Sequence, residues 1–326
     1  MHPAFSVIFL TTLIGAGQGL FLALYTAQVY SQFKLLPQQN VEMFYGYGGL
    51  LALFMLALGL FASFFHLGHP ERAWRSAAMW RTSWLSREVI ALPIAMVFLA
   101  LYGIAHYYGL TRPLFTMPGG VEVDLTLMLG LVATVFTFAL FLCTGMIYAS
   151  IKFLQEWHSP LTIINFILLG SASGFTLATA LSAYMNSGLT GFYAGWSIVL
   201  TLLALIFRGA SMARNKRLRH KSSIKSAIGV RHPTMAQKAQ GAMGGSFNTR
   251  EFFHGKKAGF VKSIKYIFLI LAFIVPIVLL ALSFNDPTYL IPLAAFIVQY
   301  LGLLAERWYF FAEAKHPQNI YYQAIS

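Results

Sequence analysis

The sequence predicts an all-α fold, a polytopic membrane protein built as a bundle of eight transmembrane helices with both termini in the cytoplasm. Three observations lead to this prediction. The 326-residue chain is 58% hydrophobic and only 10% charged, whereas about a quarter of the residues in soluble domains are charged. Long uncharged runs separate its charged residues, and its Lys and Arg residues gather on one side of those runs. We therefore treat residues 1–326 as a single integral membrane domain.

The uncharged runs set the number of helices. A helix needs about 17–25 apolar residues to cross a bilayer. Seven runs have that length: 1–33, 43–70, 89–111, 125–151, 157–207, 266–285 and 287–305. The run 157–207 is too long for one crossing, and Asn186-Ser187-Gly188 near its middle is a turn signal. Since each span in lipid must bond its own backbone polar groups, eight spanning helices are expected.

The first run and the single cysteine narrow the class of protein further. The run 1–33 lacks a basic region and a small-residue cleavage site before it reaches spanning length, so we interpret it as the first helix and not as a removable signal. Cys143 is the only cysteine and lies inside the fourth span. One thiol excludes disulfides, Cys-ligated zinc and an iron–sulfur cluster held by this chain alone. We expect no metal site.

The orientation follows from the positive charges. Of the 23 Lys and Arg residues, all but Lys34 and Arg112 fall on the side that carries both termini. Short loops rich in Lys and Arg stay in the cytoplasm, so this side is predicted to be cytoplasmic. A missed or an extra span would mix the charges between the two sides. The charge bias therefore also supports the number of spans and a multi-pass topology.

The basic cytoplasmic loop 208–262 is the one sizeable segment outside the predicted spans. It opens with the basic run 214–221 and continues through Ala-, Gly- and Ser-rich sequence. Attraction to anionic lipid headgroups is worth about 1 kcal/mol per basic residue. The alternative is a docking arm for an acidic soluble partner. Nucleic acid is not expected, since nothing in the loop resembles an aromatic-interleaved binding platform.

The polar stretch between the second and third spans is the best candidate for chemistry. His66 ends one span and Glu88 opens the next, so a helical hairpin brings them to similar depth. An imidazole titrates near neutral pH and can exchange the protons that accompany quinone reduction or oxidation. Glu88 could orient that imidazole or pass the proton to water.

Purely structural interpretations of these residues stay open at this point. A histidine at a helix end is often an interfacial residue. Ser86 could be an ordinary N-cap, and an acid near a helix start is favoured by the helix dipole alone. Arg72, Arg75 and Arg81 could do no more than fix the topology.

A resemblance to a known family adds to this interpretation. The run His66-Leu67-Gly68-His69-Pro70-Glu71-Arg72-Ala73, followed by Ser86-Arg87-Glu88, resembles the corresponding hairpin of the dimethyl sulfoxide reductase membrane-anchor family. Three further blocks resemble most the branch that anchors cytoplasm-facing sulfite-oxidising molybdoenzymes: 2–9, 157–162 and 305–311. The resemblance covers nearly the whole chain, although the long loop 208–262 has no counterpart in the short reductase-type anchors.

The resemblance implies a function and a set of partners. Members of this family are eight-helix subunits that exchange electrons between quinone and a ferredoxin-like iron–sulfur subunit, which serves a molybdopterin subunit. The partners are accordingly expected on the cytoplasmic face, and the quinone is ubiquinone or menaquinone. In the family, the residues matching His66 and Glu88 act at the quinone site. Gly68, Arg72 and Ser86 also match the motif and are expected to contribute to quinone binding.

Three further polar positions complete the predicted site. Gln18 lies in the small-residue stretch 15–19 of the first span, where small residues let helices approach closely. We expect its amide to bond a neighbouring helix or to contact the quinone. Arg307 closes the last span beside Glu306, and the two could pair with one another or with the His66 hairpin. Arg75, Arg81 and Arg307 are expected to lie where the iron–sulfur partner docks.

Several rival functions were weighed against the same residues. A membrane cytochrome needs axial ligands at similar depth, but His66 and His106 fall at opposite faces, so no haem is expected. A transporter or pump would need ionisable residues across the midplane, whereas the charged residues here border the spans. A passive anchor or transporter without redox chemistry nevertheless remains open. A quinol-oxidising anchor of a terminal reductase would use the same site in the reverse direction.

Overall fold

The predicted eight-helix architecture is confirmed. The computed structural model describes residues 1–37, 39, 41–118, 120–219, 222–230, 232, 234–235, 251–285 and 288–321. Within these residues, eight helices are long and apolar enough to cross a membrane: Phe5–Gln32 (α1), Met43–His66 (α2), Trp84–Tyr107 (α3), Leu125–Ala149 (α4), Pro160–Tyr184 (α5), Thr190–Lys216 (α6), Ala258–Leu282 (α7) and Leu290–Glu313 (α8). The long run 157–207 divides as predicted, because Asn186 and Gly188 adopt positive φ of 50° and 72° between α5 and α6.

Two of the spans are irregular, and the connections add little further structure. A π-helical stretch, Val41–Gly46, begins before α2, and a second one, Ile270–Ile274, interrupts α7. The last three residues of α2, Phe64–His66, form a 3-10 turn, and Pro70–Ala77 form a 3-10 helix in the following loop. A two-stranded antiparallel hairpin, Pro113–Thr116 with Glu122–Asp124, joins α3 to α4.

Helices α1 and α5 form the centre of the bundle. A Cβ added to Gly174 of α5 would lie 2.1 Å from backbone atoms of Gly19 and Leu20. A Cβ on Gly19 would lie 2.2 Å from the Gly170 carbonyl oxygen. Only glycine permits this approach, and small residues at four-residue spacing are a common basis of helix packing in membranes. The predicted role of the small-residue stretch 15–19 is therefore confirmed.

Met1 and the end of α8 lie at one end of the bundle. The amino group of Met1 donates to the Ala314 carbonyl oxygen over 2.7 Å, which joins the start of α1 to the end of α8. We call this end the basic end, because the loops that emerge there carry the arginines near His66 and the basic run after α6. Its assignment to the cytoplasm rests on the positive-inside rule and stays a prediction.

The predicted loop 208–262 is shorter outside the helices than the sequence suggested. α6 continues to Lys216 and α7 begins at Ala258, so the connection covers 217–257. It contains the short helix Ile224–Ile228. The end of α6 is fastened to the turn between α4 and α5, because Arg214 donates to the carbonyl oxygens of Gln155 and His158. Part of the basic run, residues 220 and 221, and most of the Ala- and Gly-rich stretch, 236–250, fall outside the described residues.

The start of α3 corrects one interpretation from the sequence. Ser83, and not Ser86, caps the helix, since the Ser83 hydroxyl oxygen accepts from the Ser86 backbone N–H over 3.3 Å. Ser86 is the third residue of α3 and is only 3% exposed. Glu88 accordingly stands beyond the first turn, where the helix dipole has little effect. The dipole alone does not account for a carboxyl at this position.

The close approach of α1 and α5 leads to a first prediction. We expect Gly174→Ala to lower the thermal unfolding midpoint and the folded yield in detergent, because its methyl group would force the two central helices apart. Overpacking of this kind costs about 1–3 kcal/mol. Gly195→Ala in α6 is the matched control, since no atom lies within 4 Å of its added Cβ. Equal stability of the two variants would contradict the packing described here.

Candidate functional site

A polar cavity lies inside the bundle near the basic end. Residues of α1, α3, α4, α5 and α8 line it, and its polar wall consists of Thr11, Thr12, Gln18, Glu88, Thr144, Ser173 and Arg307. Its volume is about 20 Å³, which is room for a water molecule and too little for a quinone ring. The cavity lies one helical turn from the closest approach of α1 and α5, because Gly15 and Gly170 are part of its wall while Gly19 and Gly174 make that approach.

Glu88 supplies the carboxyl group of the cavity. It is partly buried, and its Oε1 accepts a short hydrogen bond from the Thr144 hydroxyl group of α4. The side chain of Arg87 points away from the cavity. Its guanidinium lies 4.2 Å from the Trp84 ring centroid, and its Nε and Nη2 donate hydrogen bonds to loop carbonyl oxygens. A carboxyl group inside a spanning helix is costly in lipid and is usually retained for function.

Gln18 and Arg307 share the cavity with Glu88. Gln18 is 2% exposed, and its Nε2 donates to the Thr137 carbonyl oxygen over 2.9 Å. The prediction that Gln18 bonds a neighbouring helix is therefore confirmed. Arg307 is 4% exposed, with its guanidinium 3.9 Å from the Phe166 ring centroid. The structure places Arg307 in the interior, away from the docking surface predicted for it.

A buried ion-pair network connects Arg307 with α6. Glu306 lies between two arginines, with its Oε1 2.7 Å from Arg208 Nε and its Oε2 3.1 Å from Arg307 Nε. Arg208 Nη2 lies 3.8 Å from Glu313 Oε2. The expected pairing of Glu306 with Arg307 is confirmed. Arg208 was not predicted from the sequence, because an arginine at the end of a span is already explained by topology.

The residues of the predicted motif after α2 lie outside the cavity wall. His66 and Gly68 are exposed, and Arg72 Nε lies 3.7 Å from Glu71 Oε1. His66 is nevertheless close to the same region, because its 3-10 turn contacts α1. Almost two helical turns before it, Gly59 packs against Leu10 and Ile14 of α1, which line the cavity.

Arginine–tryptophan pairs cover the loop between α2 and α3. Arg75 lies 5.6 Å from the Trp74 ring centroid, and Arg81 lies 5.3 Å from the Trp80 centroid. The two tryptophans are 72% and 53% exposed. We call the loop surface 70–87 the Arg–Trp surface. Exposed rings stacked with cations suit both a lipid headgroup layer and a protein partner.

The histidines of α2 and α3 lie at opposite ends of the bundle, as the sequence predicted. His106 is in the last turn of α3, 1% exposed, with its ring centroid 5.0 Å from Tyr45 and 4.5 Å from Tyr102. His66 ends α2 at the basic end. Among the residues that the structure describes, no group of three or more His, Cys, Asp or Glu side chains could hold a metal ion.

These features define a class, a polytopic helical membrane protein with a polar cavity and a charge network near one face. The model of the family described as DMSO reductase anchor subunit (DmsC) matches residues 1–311, and the chain belongs to that family. It is also similar to a sulfite dehydrogenase subunit of Allochromatium vinosum, with 57% identity over 326 residues and complete coverage of both chains. The resemblance inferred from the hairpin and the three flanking blocks is thus confirmed.

The ion-pair network leads to a second prediction. Glu306→Ala would leave Arg208 and Arg307 buried without the carboxylate between them, and breaking a buried pair in this way costs about 3–5 kcal/mol. We expect a marked loss of folded protein and a lower unfolding midpoint in detergent. Glu251→Ala removes an exposed carboxylate at the basic end and should have little effect. A Glu306→Ala protein as stable as the control would show that the network contributes nothing to folding.

Proposed function

We propose that this chain is the membrane-anchor and quinone-reactive subunit of a molybdopterin and iron–sulfur oxidoreductase that oxidises sulfite. Electrons pass from the iron–sulfur subunit, docked at the basic end, to a quinone in the membrane. Membership of the anchor family supports the general role, and the 57% identity to a sulfite dehydrogenase subunit supports sulfite as the electron source. On this proposal the chain resides in the bacterial inner membrane, and the catalytic molybdenum and iron–sulfur centres belong to the partners.

The observation that carries the quinone chemistry is Glu88 beside a water-sized polar cavity. Reduction of a quinone takes two electrons and two protons, so the ring must meet at least one group that can exchange a proton. Glu88 is such a group inside a span, hydrogen-bonded to Thr144. His66 is a second one at the depth of the headgroups. Together they would deliver protons to the two sides of the ring.

The volume of the cavity bears on where the quinone ring binds. Since the cavity holds water but not a ring, the ring would approach from the lipid side near the end of α2. The space beside Gly68 is open, with no atom within 4 Å of an added Cβ. Arg72 is exposed next to it and could hold a ring oxygen. Gln18 and Ser86, both buried, would then form the side of the site that faces the interior of the bundle.

Proton uptake on this proposal occurs at the same end as electron entry, so the step moves no net charge across the membrane. The reverse direction, quinol oxidation for a terminal reductase, uses the same groups. The family description, a DMSO reductase anchor subunit, favours that second candidate. A passive anchor would need neither Glu88 nor His66.

A third prediction tests the quinone site. In a complex purified through this chain, we expect His66→Ala and Glu88→Gln to lower sulfite-to-decylubiquinone activity by about 10²-fold, the usual size of a general acid–base contribution. Sulfite-to-ferricyanide activity, which needs only the soluble subunits, should not change. Glu251→Gln is the control.

Quinone activity at the wild-type rate in both assembled variants would exclude the proposed chemistry and leave the passive anchor. Activity with quinol as donor but none with quinone as acceptor would favour the reverse direction.

A fourth prediction concerns the Arg–Trp surface as the docking site. We expect the double charge reversal Arg75→Glu with Arg81→Glu to reduce co-purification of the iron–sulfur subunit. The loss should be larger at low ionic strength than at high, because rim charges act mainly through long-range attraction that salt screens. Arg112→Glu, at the opposite end of the bundle, is the control. Unchanged co-purification with altered retention on anionic vesicles would assign the surface to lipid instead.

A further inference from the structure

We propose that Glu313, Glu306 and the water-sized cavity form the route by which protons from the basic end reach Glu88, with Arg208 and Arg307 holding the carboxylates in place. This inference rests on the proposed quinone chemistry and identifies where its protons enter. Arginine stays protonated in proteins, so the proton itself would move over carboxylate oxygens and water. The two arginines are positioning residues.

The route begins at Glu313, the last residue of α8. Its side chain is 16% exposed, whereas the side chains of Arg208 and Glu306 are 2% and 1% exposed. Glu313 is therefore the one of these three that reaches water. Arg208 contacts both carboxylates, at 3.8 Å and 2.7 Å. One guanidinium thus holds the outer carboxylate next to the inner one.

The middle of the route is the step from Glu306 to the cavity. The Oε2 atom of Glu306 faces Arg307 at 3.1 Å, while its Oε1 faces Arg208. Arg307 is itself part of the cavity wall. From Glu306 Oε2 the proton would pass beside Arg307 to water in the cavity and across it to Glu88, since the polar lining and the volume of the cavity suit a water molecule.

The route ends at Glu88, which lines the same cavity as Arg307. With Glu88 protonated, the two arginines balance Glu306 and Glu313, which limits the cost of burying these four charges. When Glu88 gives its proton to the quinone, the site gains one negative charge. That charge attracts the next proton through the cavity and restores the balance. His66 is not part of this route, because it is exposed and lies outside the cavity wall.

The experiment uses the assembled complex and the sulfite-to-decylubiquinone assay, run in H₂O and in D₂O. We expect Glu313→Gln to slow quinone reduction about tenfold, less than loss of the proton-transfer group itself, with an increased solvent isotope effect and an unchanged KM for the quinone. Glu313→Asp keeps a carboxyl group and should restore most of the rate. Glu251→Gln controls for loss of an exposed carboxylate at the same end.

The second pair of variants addresses the cavity. Ser173→Val places two methyl groups at a fully buried position of the wall and should displace the water, so we expect the same slow rate and isotope effect. Ser173→Ala leaves the cavity open and should reduce quinone clearly faster, with a smaller isotope effect, than Ser173→Val. Each rate of quinone reduction is divided by the ferricyanide activity of the same preparation. Because the complex is purified through this chain, that activity measures how much of the soluble enzyme has assembled with it. If the Glu313→Gln complex does not assemble, the comparison of Ser173→Val with Ser173→Ala tests the proton route by itself.

The outcomes separate the two proposals. If the wild-type complex reduces no quinone, the proposed function fails and the route with it. If the wild-type complex reduces quinone while Glu313→Gln and Ser173→Val match their controls in rate and isotope effect, only the route is overturned. Protons would then enter from the lipid headgroup layer at His66.

Discussion

The close approach of α1 and α5 is the constraint on which the rest of the structure depends. Backbone atoms of Gly19 and Gly174 touch, and the spans α2, α4, α6 and α8 each pack against one or both of these two helices. In lipid there is no hydrophobic force to bring helices together, and tight van der Waals contact takes its place. The polar cavity lies next to this contact, and Gly15 and Gly170, one turn from Gly19 and Gly174, form part of its wall.

Charge balance is the second condition that the bundle satisfies. Two arginines and two glutamates lie in the last three turns of α6 and α8, and each guanidinium lies within 4 Å of a carboxylate. Burial of a lone charge at this depth would cost several kcal/mol. The pairing permits charged groups below the membrane surface and puts them next to the cavity of Glu88. A polar interior can thus extend inward from the surface without a break in the bundle.

Much of the fold could be predicted from the sequence, because the thickness of the bilayer sets helix length. The run 157–207 had to divide, and the turn at Asn186-Ser187-Gly188 marks where. The stretch 15–19 indicated a tight helix contact, since small residues in lipid have few other uses. Gln18, Glu88 and Arg307 each stood out as polar groups at or within a span. The sequence did not predict that they share one cavity, because helix neighbours are set by packing over the whole chain.

Other features could not be predicted from a single sequence, because they depend on contacts that form only in the folded chain. Arg208 looked like any arginine at a helix end, although it is buried and paired. Thr144 is one of many hydroxyl residues in the spans, and only the proximity of α4 to α3 reveals its bond to Glu88. Ser83 and Ser86 both suit a cap, and the choice depends on where the chain leaves the 3-10 helix. His66 was placed correctly at the end of α2, but its exposure depends on how the following loop folds.

The fastening of Arg214 to the turn between α4 and α5 has a mechanical consequence. Its bonds to Gln155 and His158 unite three helix ends, so α4, α5 and α6 respond together to a force applied at this point. The connection 217–257 leaves the bundle directly after this joint. The joint therefore ties the helix from which the connection leaves to α4 and α5, which supply two walls of the chamber beside Glu88.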